Sequence, residues 1–501
     1  MKEKEIVIIG AGMAGLACGT YLQRNGFKVT IYEKNSNVGG LCTTWDVEGF
    51  SFESCLYWVF GTNNKSPFNK IWKELGVMKK VEFINFKEYL RLENSSGDVF
   101  SVWSKLDDLI AEMKKIGPED SIALDVLLSD ARKLSGYKMY IDKPKSIYSF
   151  NDYIKHMKSI LPYLKTIIKY KNLSFEDFVK SLKNEKLRST LEDLMYFVQN
   201  YPMVLLLLIF TYIDERNADY PTCGSLGMAN IVKDTFLSLG GKIIFNKEVK
   251  EILVNNNNNA IGIKLEGDIV VNSDYVVSCS DGYNTIFNML KGKYLTKKII
   301  RQYSSLPIFL SYTQFSYGVN INMEKMPQFI IYKLKEPFKL GNEEVKQIRI
   351  RHYAFNKKFA PEGSTSLVVT FTSNYDYWNN LYESDKKLYD LEKERIDLEI
   401  RKILKKRYKI GDNNIVVNDI ATPKTFERYT KNYKGSAEGW YTTASTFDET
   451  FEYNLKGLDK FYMASHWTGI HGGITFASLY GRDVAQIICK EEKIDFNGGD
   501  I

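Results

Sequence analysis

Hydrophobic residues along this chain form short solid runs near its start and finish, with mixed stretches between them. Residues 5–9 (EIVII) are an apolar, β-branched run, the pattern of a strand buried on both faces. A helical pattern carrying Leu16 and Leu22 stops at Gly26, and residues 28–32 (KVTIY) give a second strand ending at Glu33. Further on, a helical stretch ending at Gly240 and Gly241 leads to strands over 242–245 and 249–252. The run Asn255 to Asn259 reads as a hairpin tip, because asparagine tolerates left-handed backbone. Residues 261–265 and 269–271 complete that hairpin, and 274–278 reads as another core strand. Near the C-terminus, 461–464 is strand-like, 465–473 is a glycine-bearing loop, and 475–489 is a helix containing Gly481 and Arg482. Between these pieces, 329–334, 347–351 and 366–371 read as strands of a mixed sheet.

Two further patterns bear on membranes. Residues 201–213 (YPMVLLLLIFTYI) are almost wholly apolar, but as a helix they span only about 20 Å. The hydrocarbon core of a bilayer is about 30 Å thick, so the run is expected as a buried helix lining the core or a substrate channel. Residues 159–171 (SILPYLKTIIKYK) mix Leu, Ile and Tyr with Lys165, Lys169 and Lys171. That composition suits an interfacial helix, and equally an amphipathic helix with a solvated lysine face.

Composition narrows the class. The 501 residues are 44% hydrophobic and 26% charged, enough to bury a large core, so disorder is excluded. The net charge of +7 comes from 68 basic against 61 acidic residues, with no dense basic run, so nucleic acid is not an expected partner. The cysteines at 18, 42, 55, 223, 279 and 489 are scattered with no C-x-x-C, which points away from zinc and dithiol chemistry. No metal site is expected. The N-terminus lacks the pattern of a signal peptide, and the expected location is the cytoplasm, with peripheral contact at a membrane left open.

The chemistry lies first in Gly10-Ala11-Gly12-Met13-Ala14-Gly15, set between the first strand and its helix. Gly10 makes a tight turn, Gly12 lets backbone approach a pyrophosphate, and Gly15 lets the helix pack on the strand. The helix N-terminus offers free N–H groups to phosphates, and Glu33 stands where a ribose would be held. Gly39-Gly40 extends the pattern and allows another stretch of backbone to approach a longer ligand. The whole string resembles the FAD fingerprint of glutathione-reductase-like flavoproteins, with Gly19 where alanine is usual; a domain that binds NAD or has lost its ligand is the alternative.

Further stretches extend the likeness. They are Gly49-Phe50 with Leu56-Tyr57-Trp58, Tyr220-Pro221 with Gly224-Ser225, Ser280-Asp281-Gly282, and Ala421-Thr422-Pro423 with Arg428-Tyr429-Thr430 and Gly435. With the C-terminal glycine loop, the chain resembles the phytoene desaturase, carotenoid isomerase and retinol saturase group of FAD-dependent oxidoreductases. That resemblance implies an α/β fold. A discontinuous FAD-binding Rossmann domain (1–64, 215–299 and 446–501) would carry an inserted substrate domain of mixed sheet and helices (65–214 and 300–445).

The resemblance also implies roles. Gly10, Gly12, Ala14 and Gly15 would face the pyrophosphate, Glu33 the adenosine ribose, and Gly39, Gly40 and Leu41 the middle of FAD, with Lys34 also among the cofactor-binding residues. Val249 would meet adenine, and Gly472, Gly473 and Ile474 would lie by the flavin ring. Ser465, His466, Cys223 and the Glu53-Ser54-Cys55 stretch depart from the family pattern. His471 is the best-placed proton donor or acceptor in the loop; a histidine bonded only to backbone is the competing reading. Aromatic richness (14%) suits either a channel or a core. The implied activity is desaturation, saturation or isomerisation of C=C bonds in an apolar isoprenoid or carotenoid-like polyene. NAD(P)H or another donor or acceptor would serve as redox partner. The alternatives are an amine oxidase of the same fold and a non-enzymatic carrier like the GDP-dissociation inhibitors. Reaction direction and oligomeric state stay open at this level.

Overall fold

The computed structural model describes residues 3–54, 56–196 and 198–499; Cys55 lies outside them. Glu5–Ile9 is the middle strand of a five-stranded sheet ordered Lys242–Ile244, Lys28–Tyr32, Glu5–Ile9, Tyr275–Ser278, Phe461–Met463. Every pairing in it is parallel. The solid apolar run has a direct cause in this sheet. Ile6 and Ile8 face the helices Met13–Arg24, Gly224–Ser238 and Ile474–Glu491. Val7 and Ile9 face the antiparallel meander Val249–Val254, Ala260–Leu265, Val270–Asn272. With both faces covered, Ile6 to Ile9 are all apolar, and only Glu5 at the strand's less buried start is polar.

Glycines set how closely the helices approach. A Cβ on Gly481 would lie 2.4 Å from the Ala14 carbonyl oxygen, so its absence lets Ile474–Glu491 cross Met13–Arg24 backbone to backbone. Gly19 stands in place of the usual alanine because a Cβ there would come within 3.1 Å of both Phe236 and Ile31. The Phe236 ring fills that space instead.

The second body is a seven-stranded sheet ordered Ile415–Ala421, Tyr312–Val319, Thr365–Thr372, Glu343–His352, Phe329–Leu340, Glu88–Asn94, Val99–Trp103. It is mixed: Phe329–Leu340 pairs parallel with Glu88–Asn94, and the other neighbours are antiparallel. The long helix Lys386–Tyr408 covers one face through Tyr389, Ile396, Ile400 and Leu404. A group of helices that includes Leu106–Ile116, Ser121–Lys133, Glu185–Leu194 and Met203–Asp214 packs beside the edge.

The apolar run 201–213 forms the helix Met203–Asp214, started by Pro202 at its N-cap. No helix among the described residues is long and apolar enough to cross a membrane. Residues 159–171 do not form one helix. Phe150–Ile160 ends, Leu161–Tyr163 makes a 3₁₀ turn, and Leu164–Tyr170 follows. Pro162 is the reason, since it lacks the N–H a continuous helix needs and fits the first positions of a new turn.

Candidate cofactor and substrate site

A cavity of about 1250 Å³ runs from the first glycine turn, past the loop 465–473, to the helix Met203–Asp214. Single-ligand pockets commonly measure about 300–1,000 Å³, so this one has room for a large cofactor and part of a second molecule.

At one end, two glycine turns form a cradle. Gly10 has φ +96°, a conformation glycine adopts freely. A Cβ on Gly15 would fall 2.0 Å from the Gly10 carbonyl oxygen, so Gly15 works behind the cavity wall, pressing the helix start onto the turn. Gly12 differs. It has an ordinary φ of −69°, and a Cβ there would meet nothing nearer than Gly39 O at 3.9 Å. Nothing in the protein itself excludes a side chain at Gly12; the space it would fill is the cavity. Gly39 (φ +111°) and Gly40 (φ +62°) close the second turn, with the Gly39 N–H donating to Ala11 O at 2.9 Å. Ala14 and Leu41 also line the wall. The helix Met13–Arg24 has no acidic residue in its first turn and no side-chain cap, so its positive end is free for an anion. This is a fit for the pyrophosphate of a dinucleotide.

Glu33 is buried, and its carboxylate accepts the Ala11 N–H at 2.8 Å and the Asn35 N–H at 2.9 Å. It thereby ties the glycine turn to the second strand. Lys34 donates to Arg428 O at 2.7 Å, and its pKa is lowered by burial and by Lys431. Val249 is buried and lines the same end beside Glu248. Asp281 accepts the backbone N–H groups of Asn284 (2.7 Å) and Tyr433 (2.8 Å), while burial raises its pKa to about 7.

At the other end of the cradle, Gly473 (φ +89°) caps the helix Ile474–Glu491, whose first turn carries no acid. Gly472, Gly473 and Ile474 all border the cavity. The Ser465 side chain accepts the Trp467 N–H at 3.2 Å and closes the turn His466–Thr468, which explains a serine where the family has glycine. His466 and His471 border the cavity, and burial lowers both to about 4, so both rings are neutral at pH 7. The His471 ring packs 4.8 Å from Phe476, and its carbonyl accepts the Tyr480 hydroxyl at 2.9 Å. Two other departures are structural. Glu53 accepts the Tyr220 hydroxyl and the Ser225 N–H, joining Phe50–Glu53 to the start of Gly224–Ser238, and Cys223 is the N-cap of that helix.

Sequence reasoning missed Glu438. Its carboxyl borders the cavity and lies against Gly472, where a Cβ would collide with Oε2. Burial raises its pKa to about 7. The only signal was a single acid in the apolar, glycine-bearing run Gly435-Ser436-Ala437-Glu438-Gly439-Trp440. Beyond it the wall is apolar: Val204, Leu205, Leu208 and Ile209 from one side, Tyr57 and Phe329 from the other. Arg351 stacks 4.3 Å from the Tyr57 ring and donates to Leu56 O at 2.7 Å, fixing that aromatic wall from behind. Among the described residues no group of His, Cys, Asp and Glu could hold a metal ion.

A profile of flavin-containing amine oxidoreductases matches residues 13–489. An inactive all-trans-retinol 13,14-reductase of Danio rerio is 24% identical over 74% of this chain, and the match spans 62% of that protein's length. The chloroplastic prolycopene isomerase of Daucus carota is 22% identical over 85% of this chain and 70% of its own. A 4,4'-diapophytoene desaturase of a Methylomonas species is 24% identical over 59% of this chain and 57% of its own. Among solved structures, an oxidoreductase from Methanosarcina mazei superposes with TM-score 0.60 at 14% identity, covering 96% of this chain and 100% of that one. Cyclohexylamine oxidase from Brevibacterium oxydans superposes with TM-score 0.59 at 12% identity, covering 98% and 100%. At such identities the structural likeness is one of fold.

Proposed function

Because the chain belongs to the family of flavin-containing amine oxidoreductases, we propose that it uses one non-covalently held FAD to reduce, desaturate or isomerise C=C bonds of an elongated apolar polyene. The wall formed by Val204, Leu205, Leu208 and Ile209, continuous with the glycine cradle, is the observation that carries this reading. Aliphatic walls hold a polyene by burial alone, with no polar group to satisfy. Relatives named for retinol, prolycopene and diapophytoene support the same class.

Bound FAD would supply the hydride chemistry, and the residues would hold it. Gly12 and Gly39-Gly40 would admit the pyrophosphate beside the free end of Met13–Arg24. Glu33 would take the ribose end with Lys34 nearby, Val249 the adenine, and Gly472, Gly473 and Ile474 the ring. A nicotinamide or another carrier would serve as the redox partner. In this reading the substrate would enter from a membrane surface past His156, Ile160 and Ile167, which border the cavity.

An amine oxidase is the second reading, favoured by one observation: the Glu438 carboxyl in the wall could face an ammonium group. The deciding experiment is anaerobic. Purified protein should be yellow and release FAD on acid treatment. Its oxidised flavin should bleach with a saturated isoprenoid donor, or its reduced flavin should reoxidise with a polyene acceptor. Bleaching by primary or secondary amines, with no response to any polyene, overturns the polyene reading; a colourless protein that cannot be reconstituted overturns the enzyme reading.

A further inference from the structure

We propose that Glu438 is the acid–base group of the redox cavity, holding the proton that a carbon–carbon double bond gains or loses there; the identity of the substrate rests on the function proposed above. Two independent features point to it. The first is that its backbone is pinned while its carboxyl is not. The Asn432 side chain and the Ser436 hydroxyl donate to Glu438 O at 2.8 and 2.9 Å. The neighbouring residues are laced to the loop 465–473: Trp440 Nε1 donates to Trp467 O at 3.1 Å, and the Thr442 hydroxyl donates to Ile470 O. Asn432 in turn accepts from Trp467 Nε1 at 2.9 Å. The carboxyl itself has no hydrogen-bond or ion-pair partner among the described residues. A carboxyl inside a protein normally finds a donor or a cation, because desolvation without one is costly. A rigidly mounted, unpartnered acid aimed into a cavity is the arrangement expected of a group whose partner is the ligand.

The second feature is the exclusion of the neighbours. His466 and His471, in the facing loop, are neutral at pH 7 and have conjugate acids near pH 4. Tyr201, at the start of the apolar helix, and Tyr480, on the last helix, both feel the charge of Glu438, and burial pushes both above the usual phenol range. Asp483 accepts the Tyr453 hydroxyl at 2.6 Å, and Asp281 is held by two backbone N–H groups. Glu438 alone combines a free carboxyl, a place against Gly472, and a pKa near neutrality that populates both protonation states.

The bookkeeping of atoms is simple. In reduction, one carbon of the double bond takes the Glu438 proton and its neighbour takes hydride from reduced flavin. Glu438 is left as carboxylate and the flavin oxidised. In desaturation the carboxylate accepts the proton as the flavin accepts hydride.

The test begins without substrate. In FAD-loaded protein, the visible spectrum of the bound flavin should shift with pH about a midpoint near 7, and Glu438→Gln should remove that shift while keeping FAD stoichiometry and thermal stability. Glu438→Asp should keep a shift with a moved midpoint, which guards against a fold artefact. A shift that persists unchanged in E438Q, from Asp281 or Asp483 for instance, overturns the assignment whatever the substrate. With a reactive polyene, E438Q should slow single-turnover conversion by about 10²–10⁴-fold, the usual worth of a positioned acid or base. Turnover at the wild-type rate also overturns it. If the shift belongs to Glu438 but only amines reduce the flavin, the polyene function fails while Glu438 stands as a group titrating beside the cofactor.

Discussion

Gly12 and Gly15 belong to one turn yet need glycine for opposite reasons, and alanine should separate them. Gly12→Ala adds a methyl that touches only cavity space, at a backbone conformation any residue adopts. Its stability should stay within about 0.5 kcal/mol of wild type, while FAD affinity falls at least ~10-fold, or about 1.4 kcal/mol. Gly15→Ala drives a methyl into the Gly10 carbonyl, so denaturant unfolding should show a loss of about 1–3 kcal/mol. Equal destabilisation by both changes would sink the cradle argument. Glu33→Ala should weaken FAD binding by about 1.5–3 kcal/mol, the value of a hydrogen bond to a charged group. Titration of apoprotein with FAD measures this. Because Glu33 also holds the Ala11 and Asn35 N–H groups, the cradle should loosen, but protein saturated with FAD should keep near-normal turnover. Loss of turnover at full occupancy would contradict that role.

At the scale of elements, the last helix is held by a buried charge as well as by Gly481. Arg482 donates to Glu74 at 2.9 Å, and Tyr21 donates to the same carboxylate at 2.8 Å. Arg482 also reaches Asp142 O at 3.1 Å, so one guanidinium joins three parts of the chain. Glu74→Ala strands a buried cation and Arg482→Met strands the buried Glu74 carboxylate, so each should cost about 3–5 kcal/mol in chemical denaturation. A loss below about 1 kcal/mol from either variant would contradict the charge argument. The elements differ in how visible they were beforehand. The central strand, the glycine turns and Glu33 were legible because each is set by near neighbours: a solid apolar run, a turn conformation, a residue at the end of the next strand. The break at Pro162 was legible in principle, and the lysine–apolar alternation masked it. The order of the seven-stranded sheet was not legible, because Phe329–Leu340 pairs with Glu88–Asn94 across nearly half of the chain, and no local pattern encodes that partner. Glu438 was hidden because what makes it special is a contact in space with Gly472, in a different loop, that no local pattern encodes.

At the scale of the whole molecule, the proposed entry of substrate from a membrane predicts a lipid-binding surface, and the described residues offer a candidate on Phe150–Ile160. On Phe150–Ile160, Phe150, Tyr153, Ile154 and Met157 are exposed at helical spacing, and Leu161 continues the face beyond the helix; Phe150 is 79% and Leu161 64% exposed. Ser149 and Asp152 cap this helix reciprocally, so the face is held in place rather than frayed. Lys145, Lys155, Lys158 and Lys165 surround it, exposed and without ion-pair partners among the described residues. His156 and Ile160, from the same helix, border the cavity. An apolar face ringed by unpaired lysines has the chemistry that binds an anionic lipid surface, and the membrane entry proposed above would use it. The protein should therefore sediment with vesicles of phosphatidylserine and phosphatidylcholine and much less with phosphatidylcholine alone. Each lysine near such a surface contributes about 1 kcal/mol, so Lys155→Glu with Lys158→Glu should weaken vesicle binding by roughly 30-fold or more. Phe150→Ser with Leu161→Ser should weaken it on both lipid compositions, because the apolar contribution does not depend on lipid charge. Neither pair borders the cavity, so FAD content and turnover of detergent-dispersed substrate should be unchanged while turnover of vesicle-borne substrate falls. Vesicle binding that ignores both pairs would place the membrane contact elsewhere on the molecule, and absence of binding at low salt would favour a substrate that reaches the cavity from solution.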